Sequence, residues 1–159
     1  MTDGTDVCGL IQRGGVYADV EGSTPEEVYK NLCAMIPLPA GLSAEEVEHE
    51  LLEREAVLST AVGSGIAIPH PRRPIVPSES EERVVVCFPR APLNMQVPDD
   101  RQVYVMFLLL THSTQSHIRV LSDLARLFRA AAFKKALETR PTLTALLEAI
   151  KTAQSAASR

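Results

Sequence analysis

Two stretches of this chain are apolar with almost no interruption, and most of the other apolar residues recur at spacings that place them on one face of a helix. Val103-Tyr104-Val105-Met106-Phe107-Leu108-Leu109-Leu110 is apolar throughout. A run of that length predicts a strand covered on both faces, and so a sheet with helices above and below it. Arg83-Val84-Val85-Val86-Cys87-Phe88 is β-branched and bounded by Pro89, which predicts a second strand. Val16 to Val20, Ile66-Ala67-Ile68 and Leu93 to Val97 predict shorter ones, with a turn at Asp99-Asp100.

The helical spacings come with start and stop signals. Thr24-Pro25-Glu26-Glu27 supplies a cap, a proline at the first helical position and a capping box. Val28, Leu32, Met35 and Ile36 then predict a helix over 25–36, which Pro37 and Pro39 end. Ser43-Ala44-Glu45-Glu46 opens a second helix that buries Val47 and Leu51, turns Glu48, His49 and Glu53 to water, and carries Arg54 near its end. Ile118, Leu121, Leu124, Ala125 and Phe128 predict a third, with Ser116 as its cap and His117 in its first turn. Phe133 to Leu137 and Thr142 to Ile150 predict two more.

Helices and strands alternate, so the expected class is α/β: a single domain over residues 1–159, with a mixed β-sheet of about five strands flanked by helices on both faces. The ends, about residues 1–8 and 153–159, are expected to fray. Pro71 to Glu82 reads as an irregular loop, dense in proline at its start.

Composition narrows the field of functions. The formal net charge is −4 and no basic face is apparent, which argues against nucleic acid. No apolar run approaches the ~20 residues of a bilayer span, and the N-terminus lacks the pattern of a signal peptide. Cys8, Cys33 and Cys87 are scattered and odd in number, as expected of buried free thiols in a cytoplasmic protein.

The chemically suggestive stretch ends in Gly63-Ser64-Gly65-Ile66-Ala67-Ile68-Pro69-His70. The glycines allow a tight turn, the apolar triplet reads as a buried strand, and Pro69 fits its end. His70 is thereby expected at a strand tip, packed behind and open in front. The glycine loop is not followed by Gly-Lys-Ser/Thr, so it is not a nucleotide-binding P-loop.

Arg54-Glu55, Ser59-Thr60 and Gly65-Ile66-Ala67-Ile68-Pro69-His70 together closely resemble the active-site signature of the enzyme IIA components of the bacterial phosphoenolpyruvate-dependent sugar phosphotransferase system. The resemblance is to the fructose/mannitol class, which includes the nitrogen-regulatory IIA proteins. It is specific at residues 54–70, moderate at 99–128 and loose elsewhere. It implies a phosphoryl-carrier protein in which His70 accepts a phosphoryl group from a phosphohistidine HPr or a nitrogen-branch counterpart. It also implies assisting roles for Arg54 and His117. The residue chemistry agrees: a neutral imidazole is a nucleophile near neutral pH, a guanidinium matches phosphoryl oxygens, and a helix start favours anions.

Ser59, Thr60 and Gly65 are expected to support the phosphoryl group or the glycine loop. Ile66, Ile68 and Pro69 are expected to form an apolar docking ring, with Arg72 and Arg73 at its rim. The chain departs from many relatives at Pro71-Arg72, where a smaller residue follows the histidine. No cofactor or metal is expected. A zinc site from His70, His112 and His117 is a weak rival, and His112 is otherwise a substitute for His117 or a surface residue. Two roles stay open: a regulator whose phosphorylation state alters binding to targets such as kinases or channels, or a sugar-transport component feeding a IIB protein. The absence of fused IIB or IIC sequence leans toward the regulator. A binding module that has lost the relay is a further alternative.

Overall fold

A computed structural model of the chain describes residues 6–96 and 99–157. Among the described residues, six helices surround a five-stranded mixed sheet. In chain order these are α1 (Val7–Gly14), β1 (Val16–Val20), α2 (Pro25–Met35), α3 (Ala44–Val57), β2 (Ala61–Gly63), β3 (Ile66–Ala67), β4 (Arg83–Pro89), β5 (Val105–Leu110), α4 (Thr114–Arg129), α5 (Ala131–Glu138) and α6 (Leu143–Ala157). A single 3-10 turn, Glu79–Glu81, interrupts the proline loop. The strand order is β1-β4-β5-β3-β2. β1 lies parallel to β4 and β3 parallel to β5, while the β4–β5 and β2–β3 pairs are antiparallel.

The two central strands are buried at every position. Their side chains alternate: Val84, Val86, Phe88, Val105, Phe107 and Leu109 face a core closed by α1, α4, α5 and α6. Val85, Cys87, Met106, Leu108 and Leu110 face the opposite core, under α2 and α3. The unbroken apolar runs are thus explained, since both faces of each strand need apolar side chains.

Both capping signals operate. The Thr24 side chain accepts from the Glu27 N–H, although Glu27 reaches back to the Ser23 N–H rather than to Thr24 itself. At Ser43 the reciprocal box with Glu46 is complete.

Several expectations are corrected. α1 occupies residues that showed no clear period, and Val7 and Cys8 are buried in it rather than frayed. α6 continues past Ile150 to Ala157. The predicted ends at residues 1–5 and 158–159 lie outside the described residues. No strand forms over Leu93 to Val97: Leu93 makes only an isolated bridge to Val103, and Val97 lies outside the described residues. β4 keeps Pro89 as its last residue.

α4 starts earlier than expected. Ser113 is its cap and accepts from the Ser116 N–H, so Ser116 is already helical and buried. Its buried face carries Val120, Leu124 and Leu127, while Ile118 and Ala125 are exposed. Cys8, Cys33 and Cys87 are buried free thiols. Burial pushes the Cys33 and Cys87 thiols up to about 12, which makes them chemically inert at neutral pH. No helix among the described residues is long and apolar enough to cross a membrane.

Candidate active site

The parallel pairing of β3 with β5 brings the site together. Parallel neighbours end at the same edge of the sheet, and the loops that leave them meet there. The chain leaving β3 reaches His70 three residues on, and Pro69 still accepts the Leu109 N–H of β5 at 2.9 Å. The chain leaving β5 turns at once into α4 and delivers His117. The two imidazoles lie 4.6 Å apart between centroids, tilted by 52°.

His70 is held in one tautomer. Its Nδ1–H donates to the Ile68 carbonyl at 2.8 Å. Nε2 therefore carries the lone pair, and that lone pair accepts from Arg54 Nε at 3.2 Å. Arg54 in turn donates from Nη1 to the Leu58 carbonyl at 2.6 Å, which caps the end of α3 and fixes the guanidinium. Burial pushes the His70 pKa below its ordinary 6.5, and the Arg54 charge adds to this, against the pull of the Ile68 carbonyl and Glu55. His117 is pushed further, to about 4, by burial first and then by His70 and Arg54. Both rings are thus neutral at pH 7.

Glu55 is the residue whose part the sequence did not reveal. Its carboxylate accepts from the Tyr29 hydroxyl at 2.7 Å, the Thr60 hydroxyl at 2.9 Å and the Thr60 N–H at 2.9 Å. Thr60 then receives the Ile68 N–H on its carbonyl at 2.9 Å. The clamp therefore runs from α2 through α3 to the segment whose carbonyl sets the His70 tautomer. Thr60 is buried and Ser59 Oγ accepts from the Ala61 N–H, so both support the loop. Gly65 sits at φ +79° with the Tyr104 ring 2.5 Å from where a Cβ would stand, so only glycine fits.

The expected docking ring is corrected. Ile66, Ile68 and Pro69 are buried, because they pack into the sheet core directly behind His70. The exposed large apolar side chains flanking the site residues in sequence are Val57, Leu58, Val62 and Ile118. Arg72 and Arg73 are exposed as expected, in loose ion pairs with Glu53 at 3.9 Å and Glu50 at 3.8 Å. With His70, His117, Thr111 and Thr114 they line a pocket of about 160 Å³. His112 is engaged elsewhere: its N–H and its Nδ1–H both donate to the buried Glu82 carboxylate, at 3.0 and 2.6 Å. It is not among the residues lining that pocket. His49 is on the surface, as read from its charged neighbours.

Residues 10–153 match the EIIA 2 family of the phosphoenolpyruvate-dependent sugar phosphotransferase system. The chain belongs to that family, a family of phosphotransfer proteins, and fits its fructose/mannitol/nitrogen-regulatory class. Within it, the chain is 27% identical to a nitrogen regulatory protein of Pseudomonas aeruginosa over 150 residues, covering 92% of this chain and 95% of that one. The crystal structure of nitrogen regulatory protein IIA-Ntr from Neisseria meningitidis superposes with a TM-score of 0.74 at 26% identity, covering 86% of this chain and 92% of that one. The fold alone is shared with the Escherichia coli mannitol enzyme IIA solved in complex with phosphorylated mannitol enzyme IIB, at a TM-score of 0.65 and 18% identity, covering 87% and 94%.

Proposed function

We propose that this chain is a phosphoryl carrier of nitrogen-regulatory type, taking a phosphoryl group from the phosphohistidine of an HPr-type protein onto His70 Nε2. The observation that carries the reading is the fixed tautomer: Nδ1 is committed to the Ile68 carbonyl, and Nε2 presents a lone pair beside Arg54 and His117.

The step balances without proton transfer when the donor ring is protonated on its other nitrogen: the donor leaves as a neutral imidazole, and the His70 ring, keeping its Nδ1 proton, becomes cationic while it carries the group. The Nε2 lone pair attacks phosphorus as the donor's P–N bond breaks, and that bonding pair returns to the donor imidazole. His70 keeps its Nδ1 proton on the Ile68 carbonyl throughout. When the group moves on, Nε2 leaves as the lone pair of a neutral ring. Such a transfer needs positioning and charge more than covalent assistance. Arg54 exchanges its contact with Nε2 for one with a phosphoryl oxygen, and neutral His117 flanks the group. Val57, Leu58, Val62 and Ile118 offer the apolar contact for a transient docking partner, of the small interface class.

The regulatory reading is favoured over sugar transport by the likeness to nitrogen regulatory proteins across nearly the whole chain. Transport would add a IIB protein as the next acceptor. The test is intact-mass analysis after incubation with phosphoenolpyruvate, enzyme I and an HPr-type carrier. One acid-labile phosphoryl group is expected on the wild type and none on His70→Ala, with both folded by circular dichroism. Labelling of His70→Ala would move the acceptor elsewhere. An unlabelled wild type with an active carrier would leave a binding module without the relay.

A further inference from the structure

The hydrogen-bond donors at the site fall short of what the group it is proposed to carry can accept. A phosphoryl group brings about −1.5 to −2 charges and three acceptor oxygens. Against those oxygens stand Arg54, whose Nη1 is held by the Leu58 carbonyl and whose Nε the group frees from His70 Nε2, and a neutral His117, while the His70 ring commits its one N–H to the Ile68 carbonyl. Two further arginines, Arg72 and Arg73, line the pocket beside His70, and its volume of about 160 Å³ is several times the ~30 Å³ share of a water molecule. There is room for a phosphoryl group and a guanidinium fork.

The two arginines are held differently. Arg73 pairs with Glu50, whose side chain is only 18% exposed, so withdrawing the guanidinium leaves a largely buried carboxylate without its cation. Arg72 pairs with Glu53, which is 50% exposed and is rehydrated when the pair opens. The Arg72 pair spans 3.9 Å, beyond hydrogen-bond length, with the guanidinium side chain 63% exposed. Pairs of this kind contribute ~0–1 kcal/mol. The Arg72 backbone is anchored, because its N–H donates to the Glu50 carbonyl at 3.3 Å and Pro71 precedes it. Reaching the pocket requires a side-chain swing only.

We infer that Arg72 is a phosphoryl ligand, resting on Glu53 in the unphosphorylated chain and moving to the phosphoryl oxygens once His70 carries the group. This rests on the phosphoryl-carrier reading and adds a ligand to it. Phosphorylation then has a consequence at the surface: Glu53 loses its cation, and the outward face of α3, with Glu45, Glu46 and Glu53, becomes more acidic. A partner could read that change without touching His70.

The test is the equilibrium constant for phosphoryl exchange with the HPr-type donor. It depends on the free species alone and not on how well the two proteins dock, so a docking role for Arg72 leaves it unmoved. Arg72→Gln is expected to lower it about 3- to 10-fold, the net size of one ordinary hydrogen bond. Arg73→Gln is expected to change it less than about twofold, as for an exposed surface charge. Glu53→Gln, which removes the competing anion, is expected to raise it. The thermal midpoint of each variant reports its fold. An Arg72→Gln constant equal to wild type overturns the inference and leaves the carrier reading intact, as does an equal fall in Arg72→Gln and Arg73→Gln. A wild type that takes no phosphoryl group overturns both.

Discussion

The Ile68 carbonyl, two residues before His70, decides which ring nitrogen is available. That contact is local, and it accompanies a strand that ends just before the histidine. Neutrality of the ring follows from burial, and for His117 the consequence can be measured. Its pKa is about 4 in the folded chain against an ordinary 6.5 when unfolded. Between those values the unfolded chain binds the proton and the folded chain does not. The stability that His117 contributes is therefore fully present above 6.5 and is lost as pH falls toward 4. His117→Asn should flatten the dependence of the thermal midpoint on pH in that window relative to wild type. An unchanged slope would mean that the ring is not desolvated. At this scale the sequence singled out His70 and Arg54 by motif order and His117 by its place at a helix start, and the structure brings the three side chains together. The place of Ile66, Ile68 and Pro69 was not legible: apolar residues next to a reactive one read equally well as rim or as core, and the β3–β5 pairing puts them in the core.

Among the elements, α3 does two jobs with adjacent residues. Arg54 points at His70 and Glu55 points at the loop that carries it. Glu55→Gln keeps the shape but presents an amide to three donors. It should cost about 1–3 kcal/mol of stability, read from chemical denaturation, and should slow phosphoryl acceptance as the Ile68–His70 segment loosens. Unchanged stability would show that the clamp is incidental. The sequence pairs Arg54 with Glu55 but cannot show that Glu55 meets Tyr29, because that contact joins two helices 26 residues apart. The helix starts at Thr24 and Ser43 were legible because capping is local. The phase of α4 was misjudged because its apolar residues form two overlapping stripes. Packing against α5, α1 and α6 in the core on that face of the sheet selects the one through Val120, Leu124 and Leu127 and leaves Ile118 outside.

For the molecule as a whole, two unbroken apolar strands foretold a sheet with both faces covered, and that is the core found on either side of β4 and β5. The strand order was not legible, and it makes the site: β3 beside β5 in parallel sets His70 against a histidine 47 positions later. The same edge gathers Arg54 from α3, Arg72 from the proline loop and the start of α4. The proposed carrier role rests on one atom, Nε2 of His70, as the phosphoryl acceptor. The most direct test is ³¹P and ¹⁵N nuclear magnetic resonance on the ¹⁵N-histidine-labelled chain after phosphorylation by an HPr-type donor. Phosphorus coupled to Nε2 of His70, with Nδ1 still protonated, is the predicted result. Coupling to Nδ1, or to a ring of His117 or His112, would contradict it.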